Sequence, residues 1–250
     1  MCIRDRAWFD LSDDSTLTRS GSQINSIANK RAGGGDLVGA GRATSRTLVT
    51  ASQNGRQSLL ISRVQDGNDE MPRFEALPTD PLSQVFQGDD KPRTTFTVYK
   101  PLGSDTGFVW SASAGIDATS AQSVALVRRA ANASIRRAVS TGGANNDVTW
   151  GSGHAAGVAR IVVERHTGTT VTVWDNSLTK VVTDAAQNTV ALRTDLQFAL
   201  ATARSNINSI AGTQASAEYY EFIAENRAVS DADIQQAISD LAAKWGIALT

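Results

Sequence analysis

Three glutamates near the C-terminus, Glu218, Glu221 and Glu225, are the first candidates for acid–base chemistry. Cleaving a glycosidic bond takes two carboxylates flanking it, about 5 Å apart in the retaining geometry. On a strand that means acids at alternate positions of one face, as in Glu-x-Asp-x-x-Glu, and this pattern occurs nowhere in the chain. Spacings of three and four put Glu218 on one face of a pleated strand and Glu221 with Glu225 on the other. Hydrolysis is therefore not expected, no catalytic residue is assigned, and Glu221 is read as a structural anchor. The only histidines, His154 and His166, have no partner at metal-ligand spacing and are expected at turns or on the surface. Gly33-Gly-Gly-Asp-Leu-Val-Gly-Ala-Gly41 lacks the Lys-Ser/Thr of a phosphate-binding loop, and Gly151-Ser-Gly-His-Ala-Ala-Gly157 misses the dinucleotide spacing by one residue. There is no Gly-x-Ser-x-Gly nucleophile elbow.

Binding chemistry is better represented. Asp66, Asn68, Asp69 and Glu70 form an oxygen-rich loop of the kind that suits calcium, and Asp13-Asp14 is a smaller one. Most such clusters are simply solvated, so no resident cofactor is expected, and calcium is the one ion with a candidate donor set. Trp150 stands beside Asn145-Asn146-Asp147 and the Gly151 loop, an arrangement suited to a ligand platform in which Asn146 would take part. The pairs Arg128-Arg129 and Arg136-Arg137 fall on the two arms of a hairpin, where they are expected to lie near each other. Adjacent strand residues point to opposite faces, so half of that charge, Arg129 and Arg137 among it, forms one patch. It is either a solvated sheet face or a contact for an anionic polysaccharide or an acidic neighbouring subunit. Trp110 and Tyr99 are not assigned to the core from sequence alone.

These residues need elements to hold them. Ala217-Glu-Tyr-Tyr-Glu-Phe-Ile-Ala-Glu225 is rich in strand formers, and Ser230-Asp-Ala-Asp233 has the form of a helix N-terminus. Apolar residues at Ile234, Ala237, Ile238, Leu241, Ala242 and Trp245 keep helical spacing, with Lys244 in the last turn and Gly246 as C-cap. This is the one long helix expected, burying Ile238, Leu241 and Trp245 against a sheet. Upstream, alternating and β-branched runs predict strands at 57–62, 93–100, 108–112, 123–129, 133–139, 160–166, 169–174 and 196–202. The 160–174 hairpin turns at Thr167-Gly168, where Gly supplies a positive φ. Ile161 with Val163, and Val171 with Val173, share a face, so each strand is expected to have one buried and one wet face. A short helix is expected at 81–86, and residues 20–46 read as a long loop pinned by Ile24, Ile27, Leu37 and Val38.

The two ends carry a family resemblance. Glu221-Phe-Ile-Ala-Glu-Asn-Arg-Ala-Val-Ser230 with Ala242-Ala-Lys-Trp-Gly-Ile247 resembles the closing segment of LamG-like, concanavalin A-like jelly-roll domains of the phage and environmental-bacterial type. Ala7-Trp-Phe-Asp-Leu-Ser-Asp13, with Leu17-Thr18, Gly21 and Asn29-Lys-Arg-Ala-Gly33, is similar to that family's opening. The resemblance implies an all-β sandwich of two antiparallel sheets with a C-terminal helix, and it places Trp8 at the base of the sandwich. Trp8 and Phe9 are read as core. Relatives bind sugars or proteins, decorate virions or cleave glycans, and laminin-type and legume-type members hold calcium through their loops. The expectation is a non-catalytic carbohydrate-recognition or adhesion module of a phage structural or secreted bacterial protein. The alternatives are a purely structural virion decoration or tail-fibre domain, and a degenerate glycoside hydrolase.

At 250 residues the chain is long enough for one large sandwich, expected over residues 7–250. Met1-Cys-Ile-Arg-Asp-Arg6 resembles a translated sequencing adapter and is set apart from the fold, with the true N-terminus expected to be missing. Cys2 lies in it, so thiol chemistry is not expected. A formal net charge of -1 gives no general attraction to nucleic acid, and no apolar run approaches the ~20 residues of a membrane span. The expected partners are a glycan or polysaccharide, or other virion or cell-surface proteins.

Overall fold

The computed structural model describes residues 7–41, 43–62, 72–87, 91–103, 107–113, 123–128, 133–138, 146–151, 154–186, 196–201 and 216–250. Their strands in chain order are β1 (Ala7–Asp10), β2 (Leu17–Ser20), β3 (Gln23–Ile27), β4 (Leu37–Ala40), β5 (Arg46–Val49), β6 (Ser58–Ile61) and β7 (Arg73–Glu75). A single helical turn, α1 (Pro81–Gln84), precedes β8 (Arg93–Pro101), β9 (Gly107–Ser113), β10 (Ser123–Arg128), β11 (Ala133–Ala138) and β12 (Asn146–Trp150). Then come β13 (Arg160–His166), β14 (Thr170–Asp175), β15 (Val182–Ala186), β16 (Gln197–Leu200), β17 (Ala217–Glu225) and helix α2 (Asp231–Trp245).

All pairings are antiparallel. One sheet runs β15-β14-β13-β8-β17, with β1 and β6 sharing the far edge of β17. The other runs β12-β11-β10-β9-β16-β7-β4. β3 pairs with both β4 and β5, and β5 with β6, so the ladder passes from one sheet to the other at this corner. The segment read as a long loop is thus built of short strands. Each carries only one or two buried residues, among them Ile24, Ile27 and Leu37, which is too few to show a period of two.

Two apolar layers hold the architecture. Between the sheets, Phe222 of β17 meets Phe198 of β16 with ring centroids 4.8 Å apart, and Trp110 and Phe86 extend the cluster. Trp110 and Tyr99 are fully buried and belong to this layer. The second layer lies outside β8, β13, β14 and β17, where α2 covers Phe96, Val98, Ile161, Val163, Tyr220 and Ile223 with Ile234, Ala237, Ile238, Leu241 and Trp245. Each Ile or Leu so covered contributes about 1.5–3 kcal/mol. The helix corrects the expectation of one wet face for β13 and β14. Ile161 and Val163 face α2 while Val162, Val171 and Val173 face the inner core, so the hairpin is buried on both sides.

Helix α2 begins and ends as its sequence predicts. The Ser230 hydroxyl accepts the Asp233 amide at 3.2 Å, and Gly246 caps the C-terminus at φ 62°. Asn54 and Arg56 both donate to the Lys244 carbonyl, at 3.1 and 3.0 Å. A Cβ on residue 246 would lie 3.2 Å from the Asn54 side chain and in a left-handed backbone that L-residues disfavour. Gly246→Ala is expected to lower unfolding free energy by about 1–2 kcal/mol in urea titration. An unchanged midpoint would show that this cap does not hold the helix.

Candidate ligand site

Strand β17 positions the site through an irregularity invisible in the sequence. Its register with β8 pairs Tyr219 with Tyr99 but Glu221 with Val98, so Tyr220 is an extra residue, a β-bulge. Tyr219 and Phe222 consequently point into the inner core, while Tyr220 and Ile223 pack in the layer beneath α2. The regular pleat that would separate Glu218 from Glu221 is broken between them. Glu218 meets the Tyr220 hydroxyl at 3.3 Å and Glu221 meets the α2 residue Trp245 at 3.0 Å, so both reach the helix-facing side.

Both acids are engaged by neighbouring donors. Glu221 is buried, and its Oε1 accepts the Trp8 indole N–H at 2.7 Å. Its Oε2 accepts the Lys244 ammonium at 2.7 Å and the Trp245 indole N–H at 3.0 Å. Glu218 accepts from Lys100 at 2.8 Å, Ser58 at 3.1 Å and Ser52. Burial pushes the Glu218 carboxyl up, but the Lys100 and Ser52 hydrogen bonds outweigh it and hold the group below its usual range.

Around Glu221 the side chains enclose a cavity of about 240 Å³ lined by Trp8, Arg31, Glu221, Ile223, Asp240, Leu241 and Lys244. Ile223, Leu241 and Glu221 are buried, Trp8, Arg31 and Lys244 half-buried, and Asp240 exposed. Trp8 is therefore a pocket wall, unlike the fully buried Phe9 beside it. Its indole orientation is fixed from two sides, by the Glu221 hydrogen bond and by the Lys30 ammonium 4.8 Å from the ring centroid. Lys244 also reaches Asp10 at 2.8 Å, and Lys30 reaches Asp13 at 2.9 Å. The Ser15 hydroxyl and Lys30 hold the Asp13 carboxyl down at about 2. Asp13 thus has a protein cation as its partner, and Asp14 pairs with Arg19 at 2.9 Å.

A second polar cluster lies inside the sandwich. Tyr99 donates its hydroxyl to His154 Nδ1, and His154 Nε2 donates to Asp175 Oδ2 at 2.9 Å. Trp150 Nε1 donates to the same oxygen at 2.9 Å, and Arg160 to Asp175 Oδ1 at 3.0 Å. Arg128 clasps the His154 carbonyl with Nε and an Nη at 3.1 and 3.0 Å. Hydroxyl, imidazole and carboxylate in line is the order of a nucleophilic triad, but Tyr99 and His154 have no exposed surface. The cluster ties β12 and the segment after it to β8, β13 and β14. Burial keeps the His154 ring neutral against the pull of Asp175, and it pushes the Tyr99 hydroxyl well up. For Asp175 burial acts upward too, but the His154 hydrogen bond and the Arg160 charge hold it ionised below its usual range.

Of the residues picked out for binding, Trp150 and Asn146 lie on β12 and Arg137 on its neighbour β11. Trp150 is 6 % exposed, its indole committed to Asp175, so it serves as an interior brace. Asn146 and Arg137 are register partners on β12 and β11. In the hairpin register Arg128 pairs with Ala133 and Arg136 with Ala125. Arg128 is itself buried. Arg129 and the calcium candidates Asp66, Asn68, Asp69 and Glu70 lie outside the described residues. Among the described residues no three His, Cys, Asp or Glu side chains converge as a metal site. Both histidines are buried rather than on the surface, although His166 does serve its turn by accepting the Gly168 amide at 3.2 Å. The Trp8 pocket was missed because its walls come from residues 8, 31, 221–223 and 240–244, which only the fold brings together.

No protein-family model matches the sequence, and no curated protein matches it either. Solved structures do share its fold. Domain 4 of AbnA, a GH43 extracellular arabinanase from Geobacillus stearothermophilus, in complex with arabinotriose, superposes with a TM-score of 0.62 at 12% identity, covering 92% of this chain and 96% of that one. The botulinum neurotoxin serotype G binding domain gives 0.63 at 6% identity, covering 98% of this chain and 54% of that one. Trypanosoma rangeli sialidase in complex with sialic acid gives 0.58 at 12% identity, over 95% of this chain and 33% of that one. The chain thus spans about a third of the sialidase and about half of the neurotoxin domain. At these identities the likeness establishes the fold alone, an all-β sandwich.

The buried histidine makes stability depend on pH. His154 is held below its ordinary value of 6.5 in the folded chain. As pH falls through 6.5 the unfolded chain takes up a proton that the folded chain does not. The stability is therefore present above 6.5 and is lost from there down to the folded value, at up to ~1.4 kcal/mol per pH unit. His154→Gln is expected to be less stable at neutral pH but to show a flatter decline between about pH 6.5 and 5, measured by thermal unfolding. An unaltered slope would mean that His154 is not buried neutral.

Proposed function

We propose that this chain is a non-catalytic carbohydrate-recognition module whose ligand enters the Trp8 pocket. The pocket itself carries the reading: a fixed indole, an apolar floor of Ile223 and Leu241, and charged groups at the rim in a cavity of about 240 Å³. An aromatic face with a few oriented polar groups is what a sugar ring requires, since its C–H faces stack and its hydroxyls hydrogen-bond. The cavity lies below the ~300 Å³ at which drug-sized sites begin, so it fits about one ring. The arabinotriose complex of the similarly folded arabinanase domain supports sugar binding by a sandwich of this kind. The saturation of Glu218 and Glu221 by neighbouring donors supports a role without catalysis.

The resemblance of both chain ends to LamG-like domains makes a phage structural protein or a secreted bacterial protein the parent that we favour, with the module at a virion or cell surface. The alternative is an assembly domain in which the same surfaces meet other subunits. The second ligand surface to be tested is the β11–β12 pair, on which Arg137 and Asn146 are register partners.

The test is a glycan array followed by calorimetry on the full chain. Trp8→Ala is expected to weaken sugar binding about tenfold or more, because it removes the ring on which the sugar's C–H face would stack. Arg137→Ala should leave it unchanged. Loss with Arg137→Ala alone would move the site to β11–β12, and a chain that oligomerises without binding any glycan would favour assembly.

A further inference from the structure

We infer that the Trp8 pocket selects uncharged sugar residues and rejects acidic ones, an inference that rests on the carbohydrate reading above. Its rim carries two cations, Arg31 and Lys244, and two acids, Glu221 and Asp240, so the lining has no net charge. Availability differs sharply between them. Lys244 is held between Glu221 at 2.7 Å and Asp10 at 2.8 Å, and two carboxylates already neutralise it. Lys30, above the Trp8 ring, is likewise occupied by Asp13 at 2.9 Å and Asp10 at 3.4 Å. Arg31 has interactions of its own within the protein. Glu221 has spent its oxygens on Trp8, Lys244 and Trp245.

Asp240 is the exception. It is exposed at the pocket rim, and among the described residues its carboxylate has one partner, the Gln236 amide, which donates to Oδ1 at 2.8 Å. Oδ2 is left to accept from a ligand. An ionised carboxylate accepts only, so what it recognises is a donor, and its hydrogen bonds are about twice as strong as neutral ones. Sugar hydroxyls are donors that suit it. A uronic or sialic acid would bring a second anion towards Asp240, while the ammonium groups of Lys30 and Lys244 are already paired with acids, and like charges so placed disfavour binding. The apolar floor and the Trp8 ring then take the C–H face of the same ring. The ligand class is therefore a neutral pentose or hexose unit, held at one ring by stacking and by hydroxyl donation to Asp240.

The experiment uses the full chain in calorimetry with neutral pentose and hexose trisaccharides, arabinotriose among them, and with their uronic-acid counterparts and sialic acid. A neutral probe should bind with an affinity insensitive to salt and dependent on Trp8. Asp240→Asn should weaken it several-fold, because the acceptor stays and its charge goes. Asp240→Lys should weaken it about tenfold or more and raise affinity for the acidic probes. Asp240→Ala, at an exposed helix position, checks that the fold is intact through an unchanged thermal midpoint. Tighter binding of acidic probes by the unaltered chain, lost in Trp8→Ala, would overturn the ligand class while leaving the carbohydrate reading standing. No Trp8-dependent binding of any probe would overturn both.

Discussion

One buried carboxylate sets the relation between sheet, helix and pocket. Glu221 joins three parts of the chain that are far apart in sequence: β1 through Trp8, β17 through its own backbone, and the last turn of α2 through Lys244 and Trp245. A buried carboxyl group is tolerable only when its oxygens find partners, and three donors meet them here. The arrangement depends on the bulge at Tyr220, which turns Glu221 to the helix side and lets the Tyr220 ring stack on Trp245 at 4.9 Å. On a regular pleat continued from Tyr219 through Tyr220 the acid would face the inner core, on the side of Tyr219, instead of the helix.

Polar groups divide the labour along the outer sheet. The Glu221 network anchors the C-terminal end of α2, while the salt bridges of Asp231 with Arg165 and with Lys180 anchor its start. On the opposite side of the same sheet, Asp175 gathers Trp150, His154 and Arg160 and ties β12 and the chain after it to β14. The first network is half-open to solvent and borders a cavity, and the second is closed. That contrast decides which of them we read as a ligand site, although both contain an indole and a carboxylate.

Much of the architecture was legible in the sequence because its signals are local. The α2 caps at Ser230 and Gly246, its apolar stripe and the β13–β14 hairpin turn at Gly168 all depend on neighbours within one or two turns. The site was not legible, for the opposite reason. A regular pleat separates Glu218 from Glu221 until Tyr220 is seen to bulge, and no residue type marks that bulge. Trp8 and Trp150 illustrate the same limit. One read as core and lines a cavity, the other read as a platform and braces the interior, because burial of an indole is decided by whichever strand or helix covers it.

The five tryptophans allow a direct test by nuclear magnetic resonance, since each indole N–H gives its own signal. The chain would be titrated with a neutral oligosaccharide that it binds. Our account predicts that the Trp8 and Trp245 indole signals, both hydrogen-bonded to Glu221, move together while those of Trp110 and Trp174 stay fixed. Movement of the Trp150 signal with Trp8 and Trp245 unmoved would contradict it and place the ligand on the β12 side of the sandwich.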